Sequence, residues 1–333
     1  MKIAMLGLGK MGLNMATRLL RAGHEIVGHD LNQEALKKIK ILGGSEAATL
    51  QDLAQQLQSP RIAWLMLPAG TPTDEAIESL SHIFEDGDII IDGGNTFYKD
   101  DLRHSALLKQ KGIHHIDVGT SGGVWGLERG YCMMIGGEKA AVDFCDPIFK
   151  ALAPGKATAD PTPGREQMVG TCEEGYLHCG PSGAGHFVKM VHNGIEYAVM
   201  QSYAEGLDIL KTVNAPEIPE QRRYDLNLAD ITELWRRGSI LGSFLLDMMA
   251  MGLHKSPDLK EFSGFVQDSG EGRWTVQAAL EQASPAEVLS ASLYVRFRSR
   301  QEHTFAEKVL SMTRFQFGGH LEGLEPSALK TQE

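Results

Sequence analysis

Two stretches of this chain combine residue types at spacings that can do chemistry. The first is Gly7-Leu8-Gly9-Lys10-Met11-Gly12, followed 18 residues after its last glycine by Asp30. Between a strand and a helix, the first glycine of such a turn permits a tight bend. The second lets the backbone approach a pyrophosphate, and the third lets the helix pack on the sheet while its free N–H groups face the phosphates. A carboxylate at the end of the next strand hydrogen-bonds ribose hydroxyls and repels a 2′-phosphate. Leu31-Asn32-Gln33 offers no arginine to neutralise one. The chemistry read here is the binding of a dinucleotide, NAD rather than NADP. A competing reading makes Asp30 only the cap of a helix starting near Asn32.

The second stretch is Gly180-Pro181-Ser182-Gly183-Ala184-Gly185 running into a helical pattern in which Lys189, His192, Asn193 and Glu196 sit at offsets 0, 3, 4 and 7, hence on one face. Val188, Val191, Ile195 and Val199 line another face. The bland alternative is an amphipathic helix with a solvated side, but the glycine-rich entry allows close approach at the helix start. A cleft there would be flanked by the nicotinamide and by Lys189 and Glu196. Two further clusters, Asp92-Gly93-Gly94-Asn95-Thr96 and Gly119-Thr120-Ser121-Gly122-Gly123, follow strands and offer small residues whose backbone N–H groups can hold a carboxylate.

These residues need elements to position them. From residue 1 to about 150, apolar runs at Ile3 to Leu6, Glu25 to Gly28, Ile62 to Leu67, Asp88 to Ile91 and His114 to Val118 alternate with amphipathic segments. That alternation predicts βαβ units and a doubly wound parallel sheet of Rossmann type. A Pro/Gly-rich stretch over 154–181 reads as a junction. Beyond it, helical spacing over Ala184 to Val213, Leu228 to Gly252 and Pro285 to Thr313 predicts an all-helical second half. The expected domains are 1–178 for the dinucleotide and 179–333 for substrate and oligomerisation.

The bulk properties narrow the function class. A net charge of -11 with no basic run argues against a nucleic-acid partner. Cys132, Cys145, Cys172 and Cys179 form no CxxC pair and the histidines show no HExxH spacing, so no metal is expected. A strand pattern begins at once with Met1-Lys2-Ile3, and the apolar stretch from Ile240 to Leu253 is broken by Asp247. A cytoplasmic location with no membrane association is expected.

The GLGKMG turn, the Ser-Gly-Gly loop and the glycine-led helix with its lysine resemble the β-hydroxyacid dehydrogenases. Within them, Lys189-Met190-Val191-His192-Asn193-Gly194-Ile195-Glu196-Tyr197 and Asp92-Gly93-Gly94-Asn95 resemble 6-phosphogluconate dehydrogenase, in the short form that lacks a duplicated set of helices. The resemblance implies oxidative decarboxylation of 6-phosphogluconate to ribulose 5-phosphate with reduction of the dinucleotide. By carry-over, Lys189 is the general base and then acid at the C3 oxygen, and Glu196 protonates C1 of the resulting enediol. Such a lysine needs a pKa lowered toward neutrality, which partial burial near a cationic nicotinamide favours. The resemblance also implies that Asn95, Ser121, Gly122, Gly123, His192 and Asn193 hold the carboxylate and hydroxyls, and that Tyr197 and Arg296 bind the 6-phosphate. Asn95 is assigned to the cofactor side as well.

Near the C-terminus, Arg314-Phe315-Gln316-Phe317-Gly318-Gly319-His320 resembles the family's tail, which implies that Arg314 and His320 reach the substrate of a neighbouring subunit in a homodimer or homotetramer. The chain departs from the long form at Ser269-Gly270-Glu271-Gly272-Arg273, where a phosphate-binding lysine and threonine give way to Ser269 and Glu271. Either Arg273 compensates for the acid or Glu271 points away. The alternatives are another β-hydroxyacid dehydrogenase acting on a small unphosphorylated acid, against which Glu196 and Tyr197 speak, and a non-catalytic dinucleotide sensor.

Overall fold

The structure, a computed structural model, describes residues 1–318. The chain divides into two compact units, Met1–Asn193 and Gly194–Glu333.

The first unit is built on one eight-stranded sheet of order β3-β2-β1-β4-β5-β6-β7-β8. Its strands are β1 (Lys2–Leu6), β2 (Glu25–His29), β3 (Ser45–Glu46), β4 (Ile62–Leu65), β5 (Ile89–Asp92), β6 (His114–Ser121), β7 (Cys132–Gly137) and β8 (Tyr176–Gly180). Pairing from β3 through β6 is parallel, β7 runs antiparallel to β6, and β8 is parallel to β7. The Rossmann-type reading therefore stands. The chain reverses its direction across the sheet between β1 and β4, and the turn after β1 lies at that switch point, where open α/β sheets take their ligands.

Burial on both faces explains why the strands read as unbroken apolar runs such as Ile89-Ile90-Ile91. Alternate residues feed opposite layers: Ile3, Met5, Ile89 and Ile91 join one core cluster with Met15, Leu19 and Phe149, while Ala4, Leu6 and Ile90 join the other with Ile77, Leu80 and Leu108.

Three strands escape the sequence reading. β3 has only two residues, both polar, and β7 ends in a glycine pair. β8 lies inside the Pro/Gly-rich stretch read as a junction, so the sheet extends into that stretch.

The second unit has no strand among its described residues. It comprises the later part of the Ala184–Thr212 helix, then helices Leu228–Trp235, Phe244–Lys255, Glu271–Glu281, Glu287–Arg298 and Phe305–Gly318. The helical spacing from Leu228 to Gly252 is realised as two helices. The Leu228–Trp235 helix is capped by Asn227, whose side chain accepts from the N–H groups of Ala229 and Asp230. Ser243 caps the next by accepting from Leu246 N–H. No helix among the described residues is long and apolar enough to cross a membrane.

The Ala184–Thr212 helix begins directly against the sheet. A Cβ on Gly185 would lie 2.5 Å from the Met134 carbonyl oxygen and 2.6 Å from that of Asp117, and one on Gly119 would lie 2.2 Å from Lys189 Cβ. Both contacts exclude any side chain. Gly119→Ala should therefore cost roughly 1–3 kcal/mol by overpacking, read as a lower urea midpoint. An unchanged midpoint would show that the helix is not seated this closely.

Candidate active site

The dinucleotide turn has the geometry its glycines suggest. Gly7 has φ +88°, and a Cβ there would come 2.5 Å from the Met66 carbonyl oxygen; one on Gly12 would come 2.0 Å from the Gly7 carbonyl oxygen. Gly9, the residue before the Lys10–Arg21 helix, faces open space with nothing within 4 Å of a built Cβ, and no side chain caps that helix. Leu8 is buried and Met11 half-buried, while Lys10 is exposed. The arrangement suits a pyrophosphate approaching the helix start.

Asp30 stands at the end of β2. Its Oδ2 accepts the Leu8 N–H at 2.6 Å and its Oδ1 accepts the Asn32 N–H at 2.7 Å, so one carboxylate ties the phosphate turn to the strand where a ribose would lie. The cap of the following helix is Asn32, whose side chain accepts the Glu34 N–H at 2.9 Å; Asp30 is not that cap.

The loop after β5 is fastened by Asp92. Its Oδ1 accepts the Gly94 N–H at 3.0 Å and its Oδ2 accepts the Thr96 hydroxyl at 2.6 Å, leaving Asn95 exposed at the tip. After β6, Ser121 Oγ lies 3.4 Å from His192 Nε2, and His192 Nδ1 lies 2.9 Å from Asn193 Oδ1. With Nδ1–H donating to Asn193, Nε2 accepts from the Ser121 hydroxyl, the tautomer being set by these partners. Gly122 and Gly123 adopt positive φ of 139° and 53° beside this trio. Lys189 is 7% exposed and lies on the helix against Gly119. Glu196 is half-buried, seven positions further along the same helix.

Two positions missed by sequence reasoning hold this helix start. Asp117 on β6 accepts the Gly183 N–H at 2.6 Å through Oδ1 and the His186 N–H at 3.0 Å through Oδ2, satisfying donors that a buried helix N-terminus would otherwise leave unpaired. His186, 2% exposed, sets Nδ1 2.8 Å from Asp101 Oδ2 and Nε2 3.1 Å from the Gly94 carbonyl oxygen. A charged residue inside the apolar strand pattern at Asp117 was the available signal.

In the second unit, Tyr197 is buried, and its hydroxyl accepts the Ser269 N–H at 3.1 Å and lies 3.4 Å from Ser269 Oγ. The Arg296 guanidinium carbon stacks 3.4 Å from the Tyr197 ring centroid while Nη1 donates to the Gln267 carbonyl at 2.9 Å. Tyr197, Ser269 and Arg296 thus come together. Arg273 does not serve this group as a free cation: it donates twice to Asp268, at 2.8 and 3.1 Å, and Arg300 binds the same carboxylate. The hydrogen bonds from Arg273 and then Arg300 hold the Asp268 carboxyl far below the usual range. Glu271 is 2% exposed at the start of its helix. The acid in the altered loop is thus buried. Arg314 is exposed on the Phe305–Gly318 helix, and His320 lies outside the described residues.

Two buried groups, Asp101/His104/His115 and Asp92/Asp101/His186, each bring ligand-type atoms within 4.8 Å of one another. In the second, both His186 nitrogens already face acceptors. In the first, His115 Nε2 and Asp101 Oδ1 are 4.0 Å apart, wider than the about 3.4 Å that zinc bonds of 2.0–2.1 Å impose on tetrahedral neighbours.

The sequence pattern described as the NAD binding domain of 6-phosphogluconate dehydrogenase matches residues 2–161, and that of the 6-phosphogluconate dehydrogenase C-terminal domain matches 185–322. The chain is 35% identical over 321 residues to the NAD(+)-dependent, decarboxylating 6-phosphogluconate dehydrogenase of Haloferax volcanii, covering 96% of this chain and 98% of that one. It is 34% identical to the decarboxylating enzyme of Bacillus licheniformis, covering 93% of this chain but 64% of that one. The structure of Plasmodium falciparum 6-phosphogluconate dehydrogenase aligns with a TM-score of 0.75 at 28% identity, over 98% of this chain and 67% of that one. A Mycobacterium tuberculosis 3-hydroxyisobutyrate dehydrogenase, 18% identical over 91% of this chain and 94% of its own with a TM-score of 0.66, shares the fold. With a dinucleotide turn at the switch point of its sheet and these matches along nearly its whole length, the chain belongs to the 6-phosphogluconate dehydrogenase family and is an oxidoreductase that binds a nicotinamide dinucleotide.

Proposed function

We propose that this enzyme oxidises and decarboxylates 6-phosphogluconate to ribulose 5-phosphate and carbon dioxide, with NAD as the acceptor. The observation that carries the reading is Lys189: a lysine buried against β6, on the same helix as Glu196 and within the unit that holds the Ser121–His192–Asn193 trio. The bound nicotinamide supplies an acceptor for the hydride from C3.

Every proton movement falls to the chain's own residues. Neutral Lys189 takes the C3 hydroxyl proton as the hydride leaves, giving a β-keto acid and a lysine ammonium. The C1–C2 bond then breaks, its electron pair moves toward the C3 oxygen as carbon dioxide departs, and Lys189 returns a proton to that oxygen. Glu196 delivers a proton to the former carboxyl-bearing carbon of the enediol while Lys189 takes back the proton of the hydroxyl at the former C3, completing the ketose. Asn95, Ser121, Gly122, Gly123, His192 and Asn193 are assigned to the carboxylate and hydroxyls. Tyr197 and Arg296 are assigned to the 6-phosphate, where a planar guanidinium suits two phosphate oxygens.

NAD preference is supported by Asp30, whose carboxylate already accepts two backbone N–H groups beside exposed Leu31 and would repel a 2′-phosphate. The working division assigns 1–178 to the cofactor and 179–333 to substrate and assembly. Assembly into a homo-oligomer is supported by large exposed apolar side chains such as Leu234, Leu280, Val288 and Phe305 in the helical unit. In such an oligomer, Arg314 and His320 of one subunit are assigned to the site of its neighbour.

Reduction of NAD, followed at saturating 6-phosphogluconate and compared with NADP, tests the overall reading; no reduction of either cofactor removes it. Asp30→Asn should narrow the ratio of NAD to NADP kcat/KM, and an unmoved ratio removes Asp30 from discrimination. Lys189→Met should lower kcat by at least about 10²- to 10⁴-fold while NAD still binds; near-normal turnover would exclude the lysine as base. Mixing Lys189→Met subunits with Arg314→Ala subunits should restore activity that each lacks alone. Failure despite confirmed subunit exchange would confine Arg314 to its own subunit.

A further inference from the structure

We propose that His186 is a positioning residue for the hydroxy-acid oxidation: it clamps the Asp92–Thr96 loop, which carries Asn95, to the first turn of the helix that carries Lys189. This rests on the roles given to Asn95 and Lys189 in the proposed function. His186 touches neither substrate nor cofactor in this scheme and acts through the two segments it joins.

The geometry is that of a two-sided donor. Nδ1 faces Asp101 Oδ2 at 2.8 Å and Nε2 faces the Gly94 carbonyl oxygen at 3.1 Å, in a place where His186 is 2% and Asp101 0% exposed. A neutral imidazole has one N–H, so serving both partners requires either an imidazolium or a proton on Asp101. Imidazole is the stronger base of the two. Burial is the largest single influence and works against its charge, but the carboxylates of Asp101, Asp92 and Asp117 together outweigh it and raise the His186 pKa, while burial pushes the Asp101 carboxyl up to about 7, still on the ionised side at pH 8. An imidazolium sealed among carboxylates holds its two acceptors by charge-assisted bonds, stronger than neutral ones.

The bond to Gly94 fixes more than one atom. Gly94 N–H is held by Asp92 from the sheet, and Gly94 C=O is held by His186 from the helix, so residue 94 is fastened at both ends. The peptide plane that leads into Asn95 is thereby set. A Cβ on Gly94 would stand 2.8 Å from the Leu67 carbonyl oxygen, so the loop cannot retreat toward β4 if the clamp is released. On the helix side, His186 N–H is anchored on Asp117, and Lys189 follows three positions later, one turn along the same face. One side chain therefore adds a direct tie between the helix of the proposed base and the loop proposed to hold the substrate, two segments otherwise fastened to the sheet separately.

The test separates this role from simple packing and from the functional reading. Histidine nitrogen NMR on the wild-type protein at pH 8 reads the clamp without any substrate. It should show one residue, lost in His186→Gln, with both ring nitrogens protonated. A bare nitrogen at His186 would overturn the proposal. In kinetics, His186→Gln, which retains a donor but cannot span both acceptors, should lower kcat by roughly 10- to 100-fold and raise the KM for 6-phosphogluconate. The Kd for NAD, measured by fluorescence quenching, should rise by a smaller factor than kcat falls, since the turn at Gly7–Gly12 is untouched and Asn95 is the one clamped residue also assigned to the cofactor. Asp101→Asn, in which the amide can donate to Nδ1 while Nε2–H keeps Gly94, should retain more activity than His186→Gln. Equal loss of NAD binding and turnover, or kinetic constants for His186→Gln matching the wild type, would overturn the proposal. A wild-type enzyme inert toward 6-phosphogluconate but with doubly protonated His186 would instead overturn the substrate assignment and leave the clamp standing.

Discussion

The seating of one helix start on the edge of β6 is the constraint on which the site depends. The first turn of the Ala184–Thr212 helix is buried, so its N–H groups cannot turn to water, and unpaired donors there would cost about 1–3 kcal/mol each. Asp117 meets two of them with one carboxylate, and a negative charge at a helix N-terminus is favoured by the aligned peptide dipoles as well. This works only because glycines remove every side chain that would hold the two elements apart: Gly185 beneath the helix and Gly119 beneath Lys189. The lysine is thus buried by backbone contact with the sheet. A flexible side chain becomes a group with a defined position.

The interior around that point carries three fully buried carboxylates, Asp92, Asp101 and Asp117. Buried charge is tolerated when it is paired and hydrogen-bonded. Asp92 is met by a backbone N–H and a hydroxyl, Asp117 by two backbone N–H groups, and Asp101 by an imidazole. His115 beside them is driven down to about 4 by burial and is neutral at physiological pH, so it cannot relieve Asp101. His186 is the cation the group needs. The bonds that meet these carboxylates are also those that fix the loop after β5 and the helix start, so electrostatic accommodation and site geometry are one structure.

The parts of the fold visible in the sequence are those in which a local pattern and its physical cause coincide. The five strands found early are apolar over most of their length because both faces are covered, and the GLGKMG turn announces itself because each glycine answers a separate steric demand. β8 was hidden because Tyr176–Gly180 sits among prolines and glycines and contains His178 and Cys179, and β3 because two polar residues carry no period. That Lys189, His192, Asn193 and Glu196, the residues proposed for the site, share one helix was legible from their spacing. Asp101 and His186 were not, since they lie 85 residues apart and only the tertiary fold brings them together. The role of Arg273 was likewise invisible: nothing local says that Asp268 will claim it.

That last pairing bears on the phosphate role proposed for Arg296 and Tyr197. Around Tyr197 the arginines divide into two kinds. Arg273 and Arg300 are spent on Asp268, whose side chain is 4% exposed and whose charge they neutralise. Arg296 has no carboxylate partner among its described bonds; it rests on the Tyr197 ring and on the Gln267 carbonyl, contacts that orient the guanidinium without cancelling its charge. Cation–π stacking of this kind holds the planar group while its remaining N–H edge can serve another acceptor. The Tyr197 hydroxyl, by accepting from Ser269, ties the altered loop to the same ring. A Cβ on Gly272 would come 2.5 Å from that ring, so the glycine is what lets the loop and its helix close on Tyr197. Arg273 and Arg300 together exceed Asp268 by one positive charge, and Arg296 adds its own beside Tyr197. A local positive field of this kind can draw an anion to a protein whose net charge is -11.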